Sequence, residues 1–496
     1  MTRRIFGCGL VLLLSACSGD PPSTPPPVPA DTAYTAPGLP TLPSVGTAGV
    51  DQHFALGKGV SVEWWGLFQS PALNDVVSQA VAGNRNLAAA HASLDAAHEA
   101  VLVAAGGFYP QVDFGAAVER QRNNFQAFGL TGFPPKEFNT YSFGPTVSYS
   151  FNPMGLTTHQ LERQKALEDA QNFELRGAYL TLTGSAVTEA ITIASVDAQI
   201  KAVNELLADD QQNLKLVQNE LTAGAGTQLD VETANSQLAT DRTQLPPLRQ
   251  QLNVAQHALA VLVGKAPGNW QPPDLTLDQL ALPPELPVSL PSALARQRPD
   301  ILAAEAQFHA SAAAVGIANA QLYPQFTISA AVQQVFTHPD VVFEPISNMW
   351  NIGMNMAAPI FHGGSLRAQK HEAEDTYQAT LASYEQTVLS AFGQVADLLD
   401  ALSHDSEQLN AEEAAYQSAD AALRLTRTSY SLGNASLLQV LDVQRQLEQA
   451  RLGLVRAEAQ RYLDSAQLFV ALGGGWWNGA PTREAAGGTV PATATR

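Results

Sequence analysis

The feature that most restricts this chain is that it says nearly the same thing twice. "GGFYPQVDFGAAV" occupies 106–118 and "AQLYPQFTISAAV" occupies 320–332. The likeness extends to both sides. "NRNLAAAHASLDAAHEAVLVAAGGFYPQ" begins at Asn84 and "RPDILAAEAQFHASAAAVGIANAQLYPQ" at Arg298, so Tyr109 pairs with Tyr323. Farther on, "LTAGAGTQLDVETANSQL" around Gly224 matches "YSLGNASLLQVLDVQRQL" around Gly433. The halves close with "ALAVLVG" at Gly264 and "LFVALG" at Gly473. The offset stays near roughly 210 residues, as expected of one structural unit used twice. The repeats are assigned to 61–264 and 292–473, with a linker at 265–291.

After each Tyr-Pro-Gln the text changes period. Tyr141, Phe143, Val147, Tyr149 and Phe151 alternate with Thr140, Ser142, Thr146, Ser148 and Ser150. Val112, Phe114, Ala116 and Val118 alternate with Asp113, Gly115, Ala117 and Glu119. In the second repeat Phe326, Ile328, Ala330 and Val332 alternate with Thr327, Ser329 and Gln333, and Trp350, Ile352, Met354 and Met356 with Asn351, Gly353 and Asn355. Period two over such runs means strands. The spacing predicts two hairpins, at about 109–153 and 323–361, with polar loops near 126–137 and 338–346. A soluble sandwich also alternates. Strands of about ten residues or more suit a tilted membrane crossing, however, and a polar face of Ser, Thr, Gly and Asn suits a wet lumen. Four strands cannot close a barrel, since about eight is the practical minimum. Open edges in lipid would leave backbone groups unpaired. A membrane barrel built from these strands must therefore be shared, and three chains give about twelve strands, within the usual range.

Between the hairpins lie long helical runs. Nothing from Gly155 to Thr222, or from Ser365 to Leu432, forbids a single helix. At about 1.5 Å per residue each would be roughly 100 Å long. Each stops at a glycine, Gly224 or Gly433, which suits a helix end and tight reversal. The return runs carry heptads: Val231, Leu238, Leu245, Leu252 and Leu259 in one, Val440, Leu447 and Leu454 in the other. Ala234 and Leu248, and likewise Val443 and Ala450, supply the second seam position of an antiparallel coiled coil. Pro246-Pro247 predicts a kink or break in the first return helix.

The ends and the composition set the compartment. "MTRRIFGCGLVLLLSACSGD" has Arg3 and Arg4, a short apolar run and then small residues, the layout of a secretory signal over 1–16. Leu14-Ser15-Ala16-Cys17 resembles a bacterial lipobox, which predicts lipid on Cys17. Ser18, rather than Asp, then favours the outer membrane. Cys8 and Cys17 are the only cysteines, so the processed chain forms no internal disulfide and no Cys-based metal or redox site. Residues 17–60 begin Pro-rich and read as an anchor and tether, and 474–496 as a flexible tail. A net charge of −19 excludes nucleic acid as a partner. After the signal, no apolar run suggests a transmembrane helix.

With these residues in place, the chain resembles the TolC-type outer-membrane factor family, in its lipoprotein branch serving multidrug efflux. The resemblance rests on the lipobox, "WWGLF" at 64–68, "ANAQLYPQF" and its earlier copy, and Arg298-Pro299-Asp300. "APIFHGGSLR" at 358–367 and "GNASLLQVLDVQRQ" at 433–446 add to it. It covers about 60–473. It implies a mixed α and membrane-β fold: a homotrimer with a twelve-stranded outer-membrane barrel, four strands per chain, continuous with a long periplasmic helical barrel. The 265–291 linker would lie in its equatorial region. It implies a passive duct docked to a periplasmic adaptor and, through it, to an inner-membrane pump of the resistance-nodulation-division type. By position, the closing ring would involve Leu438 and Asp442, tied by Tyr430 and Arg445, with Asp230 from the first repeat. Gln439 stands where related channels often have Asp. The turns with Gly224, Gly226, Gly433 and Asn434 would meet the adaptor.

Other classes fare worse. A structural lipoprotein would not need alternating hairpins. No His-Glu-x-x-His, Gly-x-Ser-x-Gly or phosphate loop occurs, so no enzyme is expected and no cofactor beyond the lipid. His91 and His98 are too far apart for the usual helical ligand pair. Arg298-Pro299-Asp300 reads as a helix start, and Trp64 and Trp65 as packing or interfacial anchors. Within the duct class, the outer-membrane channel of a type I protein-secretion system is the alternative; the lipobox favours small-molecule efflux.

Overall fold

Tyr-Pro-Gln ends a helix and starts a strand in both halves, because the residue before a proline avoids the helical region and proline donates no backbone bond. In this computed structural model, residues 50–124 and 134–478 are described, with Tyr34 and residues 39, 40, 42, 43, 126, 129 and 132. The signal segment with Cys17, most of the Pro-rich stretch, much of the first hairpin loop and 479–496 lie outside the described residues. The elements run β1 (His53–Leu56), α1 (Pro71–Gly83), α2 (Arg85–Gly106), β2 (Gln111–Asn123), β3 (Lys136–Phe151), α3 (Leu156–Thr222), α4 (Gln228–Arg242) and α5 (Leu245–Leu262). They continue as β4 (Glu285–Val288), α6 (Pro291–Leu294), α7 (Pro299–Ala320), β5 (Gln325–Phe336), β6 (Asn348–Ala357), α8 (Ser365–Ser431) and α9 (Leu437–Ala471).

The chain divides into two compact units, one built on Ser93–Gln171 and Ala304–Tyr384, the other on Pro27–Ala92, Asn172–Ala303 and the chain from Glu385. The first holds a four-stranded sheet in the order β2-β3-β5-β6, antiparallel throughout. Its register brings the apolar sets onto one face. Val112 lies opposite Val147, Tyr149 opposite Ile328, and Ile328 opposite Met354. The other face carries Ser148 opposite Ser329, itself opposite Gly353. Phe151 stacks on Phe326 at 5.3 Å and Tyr141 on Phe336 at 5.4 Å. Gly144 interrupts β3 for a steric reason: a Cβ there would stand 2.1 Å from the Val332 carbonyl oxygen. Among the described residues neither β2 nor β6 has a second neighbour, so each presents an unpaired edge. Val112, Phe114 and Val118 on one edge, and Trp350, Ile352 and Met354 on the other, are all exposed.

The helix α7 corrects one expectation. Its 22 residues are long and apolar enough to cross a membrane by length and composition, although half of its most apolar window is buried. Phe308, Ala312 and Val315 pack with Tyr377, so the apolar character is that of an Ala-rich core helix.

The second unit carries the main core. The α3 and α8 helices are each 67 residues long, as their Pro-free text predicts. Trp64 is buried and stacks on Phe469 at 5.5 Å, with Phe68 edge-on to both. These tryptophans are packing residues, and each large apolar side chain so buried contributes on the order of 1.5–3 kcal/mol. The stretch expected as linker is part of this core through Leu275, Leu277, Leu282 and Leu286. Its β4 strand pairs in parallel with β1. Nor are the described parts of the expected tether loose. The Tyr34 hydroxyl donates to the Ser289 carbonyl at 2.8 Å, and the wholly buried Arg461 donates to Gln52 at 2.9 Å and to the Val50 carbonyl at 2.8 Å. At the other end, Trp476 donates to the Gln297 carbonyl at 2.8 Å and lies 4.2 Å from the Arg176 guanidinium. The expected tail therefore starts out pinned. Pro299 opens α7, and its neighbour Arg298 does more than start a helix. It donates to Asp300, to Gln394 of α8 and to the Ala471 carbonyl at the end of α9, a bond of 3.1 Å.

Candidate functional site

The residues singled out for closure and docking gather at the two helix reversals, so each reversal is built up in turn. At the end of α3, Gly224 takes φ +73°, a conformation that costs glycine little. The Ala225 amide then reaches back to the Glu220 carbonyl at 2.8 Å and the Gly224 amide to Leu221 at 3.0 Å, closing the helix by the αL route. At the end of α8, Gly433 takes φ +75°, and the Asn434 amide reaches the Ser429 carbonyl at 2.8 Å.

Each return helix opens with a reciprocal cap. The Thr227 hydroxyl accepts from the Asp230 amide at 3.3 Å, while the Thr227 amide donates to the Asp230 carboxylate at 2.9 Å. In the second repeat Ser436 and Gln439 make the same exchange, at 3.3 and 2.8 Å. Asp230 thus serves as a cap within its own chain. The Thr227 hydroxyl and amide hold its carboxyl below the usual range. Gln439 fills the identical place in the second repeat.

The remaining expected residues are distributed as follows. Tyr430 donates to the Glu220 carboxylate at 2.6 Å, tying the end of α8 to the end of α3. Burial, then Glu220, pushes the phenol upward. Asp442 is paired with Arg445 on the same helix face and accepts from Gln446 at 3.0 Å. Within the chain, then, Tyr430 is bonded to Glu220 and Asp442 to Arg445. Leu438 is 68 % exposed, as is its counterpart Leu229 at 74 %. Gly226, also in the first turn, gives its amide to the Glu220 carbonyl at 3.1 Å. Behind the turns, Val217, Val231, Leu437 and Leu441 form a small apolar cluster with Tyr430 against it.

One group escaped sequence reasoning. Beside the next cluster, which includes Leu207, Leu238, Leu245 and Leu452, lies a buried polar layer. Asp210 of α3 accepts from Gln444 of α9 at 2.9 Å, and Asn213 donates to Gln444 at 2.7 Å. Asp241, in the last turn of α4, accepts from Gln237 at 2.8 Å, and Gln244 donates to Glu448 of α9 at 2.7 Å. Burial, then the neighbouring Asp241, raises Asp210 to about 7, and burial raises Glu448 to about 7. The heptads point at leucines and step over these positions. Only the spacing Asp210–Asn213 and Gln444–Glu448, polar pairs one helical turn apart beside apolar seams, could have signalled them. Among the described residues no group of His, Cys, Asp or Glu is arranged to hold a metal.

The chain's relatives fit this geometry. The profile of the outer membrane efflux protein family matches residues 76–265 and 290–474, once in each half. The pyoverdine export outer membrane protein OpmQ of Pseudomonas aeruginosa is 29 % identical over 474 residues, 94 % of this chain and 95 % of that one. The probable outer membrane lipoprotein SilC of Salmonella typhimurium is 26 % identical over 438 residues, 86 % and 93 % of the two chains. Among solved structures, the outer-membrane channel OprN superposes with a TM-score of 0.80 at 27 % identity, covering 92 % of this chain and 99 % of that one. This chain belongs to the outer membrane efflux protein family, and it is an outer-membrane channel component of a tripartite efflux system.

Proposed function

We propose that three copies of this chain close a twelve-stranded barrel in the outer membrane and continue as a helical duct into the periplasm. The observation that carries this reading is the sheet: one continuous apolar face and two unpaired edge strands. In lipid each unpaired backbone group costs several kcal/mol, and joining β6 of one copy to β2 of the next removes both edges. The duct is passive, and no chemistry is assigned to it. Lipid on Cys17 adds a second, weaker anchor. The periplasmic partners are an adaptor protein, meeting the turns at Gly224, Gly226, Gly433 and Asn434, and through it a resistance-nodulation-division pump. The cargo is a small molecule; OpmQ is named for pyoverdine export, and solvent and toluene efflux pump outer membrane proteins are also among the relatives.

Closure at rest is assigned to the reversal end. There Leu438 is exposed, the Asp442–Arg445 pair is half-exposed on one helix face, and Tyr430 ties α8 to α3 through Glu220. Threefold repetition would place three Asp442 carboxylates around a narrow pore, favouring cations. The test is reconstitution in planar bilayers with Gly224→Cys and Asn434→Cys variants tested in parallel in cells. A conducting pore and crosslinks from both cysteines to the adaptor are expected. A protein that inserts without conducting, or an active pump without either crosslink, would overturn the corresponding part. Protein secretion remains the second reading only if export of a polypeptide, rather than a small molecule, is lost on deleting the chain.

A further inference from the structure

The buried polar layer has a property that its neighbours lack. Asp210 is 2 % exposed, Asp241 3 %, Gln444 4 % and Glu448 8 %. Three carboxyl groups from α3, α4 and α9 thus meet inside the bundle, beside seams that are otherwise filled by leucines. Amides satisfy part of this set, through Asn213, Gln237, Gln244 and Gln444. One oxygen is left over. The Oδ2 atom of Asp210 is buried and has no hydrogen-bond donor, and its neighbour is the Asp241 carboxyl. Two carboxylates side by side without a donor between them are unfavourable, whereas one shared proton supplies the missing bond.

The layer also sits at the one interruption of the return arms. Asp241 is in the last turn of α4, and Gln244 stands just before α5. Whatever loosens the layer therefore acts where the backbone is already broken. We propose that Asp210, Asp241 and Glu448 form a proton-binding site that clamps α4 to α3 and α9, and that loss of the proton releases α4 and with it the first reversal.

The surrounding charges favour that proton. On α3 the nearby charged group is Asp209, which is paired with Arg427 of α8 at 2.9 Å. On α4 it is Asp241, and on α9 it is Glu448; the charges acting on Asp210 are all acidic. The cation Arg451 of α9 is engaged by Glu205. Because burial raises Asp210 and Glu448 to about 7 against an ordinary carboxyl near 4, the folded clamp holds more protons than the unfolded chain in between. Its stabilisation is complete below the ordinary carboxyl range and is lost as pH rises toward about 7. A layer that only fixed helix register would need no proton.

The inference concerns the same end of the molecule as the proposed closure, but its test reads α4 directly and needs neither conductance nor an adaptor. Hydrogen exchange of the 228–242 peptides is followed in the full-length, detergent-solubilised protein at pH 5.5 and pH 8, with intrinsic rates divided out. The wild type is expected to exchange about tenfold or more faster at the higher pH. Asp210→Asn with Glu448→Gln is expected to reduce that change to less than about twofold. Glu448→Gln alone serves if the double variant does not fold, and should give an intermediate change. Wild-type exchange independent of pH, or a variant that keeps the wild-type dependence, would overturn the proposal. So would magnesium or calcium slowing exchange at pH 8, since the layer would then be a cation site.

Discussion

The two return arms answer the same sequence pattern with different structures. The second arm, α9, runs unbroken over 35 residues, whereas the first stops at Arg242 and starts again at Leu245. Both begin with the same glycine turn and the same reciprocal cap. What the repeats share is thus the chemistry of the ends, which fixes where the chain turns. What they do not share is the interior, where Pro246 and Pro247 remove amide donors from the first arm. The break places Asp241 and Gln244 beside α9, so a local backbone defect in one repeat becomes a polar contact with the other.

The comparison is broken most severely by moving the prolines. Val455 and Arg456 hold in α9 the places that Pro246 and Pro247 hold in the first arm. Val455→Pro removes an interior helix bond and should cost about 3 kcal/mol or more, read as a large drop in the thermal midpoint by circular dichroism. Pro246→Ala should shift stability by less than about 1 kcal/mol, because the first turn of α5 leaves that amide unbonded.

A smaller effect is expected at the caps. Thr227→Ala and Ser436→Ala should each cost about 1 kcal/mol. The caps differ in pH response. Asp230 is held below the usual carboxyl range by Thr227. Its contribution is therefore present above the ordinary carboxyl range and lost as pH falls through its lowered value. Gln439 does not titrate. Asp230→Ala should thus destabilise most at neutral pH and progressively less in acid, while Gln439→Ala should do so equally throughout; melting curves over that range decide it.

The tie between the reversals is next. Tyr430→Phe removes the bond to Glu220 and should cost about 1 kcal/mol. If Glu220 is the partner that matters, Tyr430→Phe and Glu220→Gln should not be additive in a double-mutant cycle. The smallest effect on stability belongs to Asp442→Ala. Its pair with Arg445 is half-exposed, and such pairs contribute about 0–1 kcal/mol. Its larger consequence should appear in single-channel recordings, as reduced preference for cations.

The sequence was most legible where a rule acts locally. Glycine turns, the strand alternation and the break before Pro246 follow from backbone sterics and periodicity, and the structure places them where those rules point. The seam of α9 was harder. Leu447 and Leu454 look like seam residues but are only half-buried, whereas Gln444 and Glu448 are buried. Apolar periodicity cannot identify a polar residue that is buried because partners on other helices satisfy it. The amino-terminal arm escaped for a related reason. Nothing in its composition announces that Gln52 will meet Arg461, or that β1 will pair with β4 more than two hundred positions away. Such contacts exist only once the long helices have brought their ends together.

The central claim is that one chain cannot satisfy its own sheet edges, and the direct test is mass. The purified full-length protein is solubilised in mild detergent, and its protein mass is measured by light scattering with the detergent contribution subtracted. The account predicts three chains of 52.6 kDa each, less any processed signal. A stable, folded monomer that inserts in bilayers and keeps its strand content would contradict it.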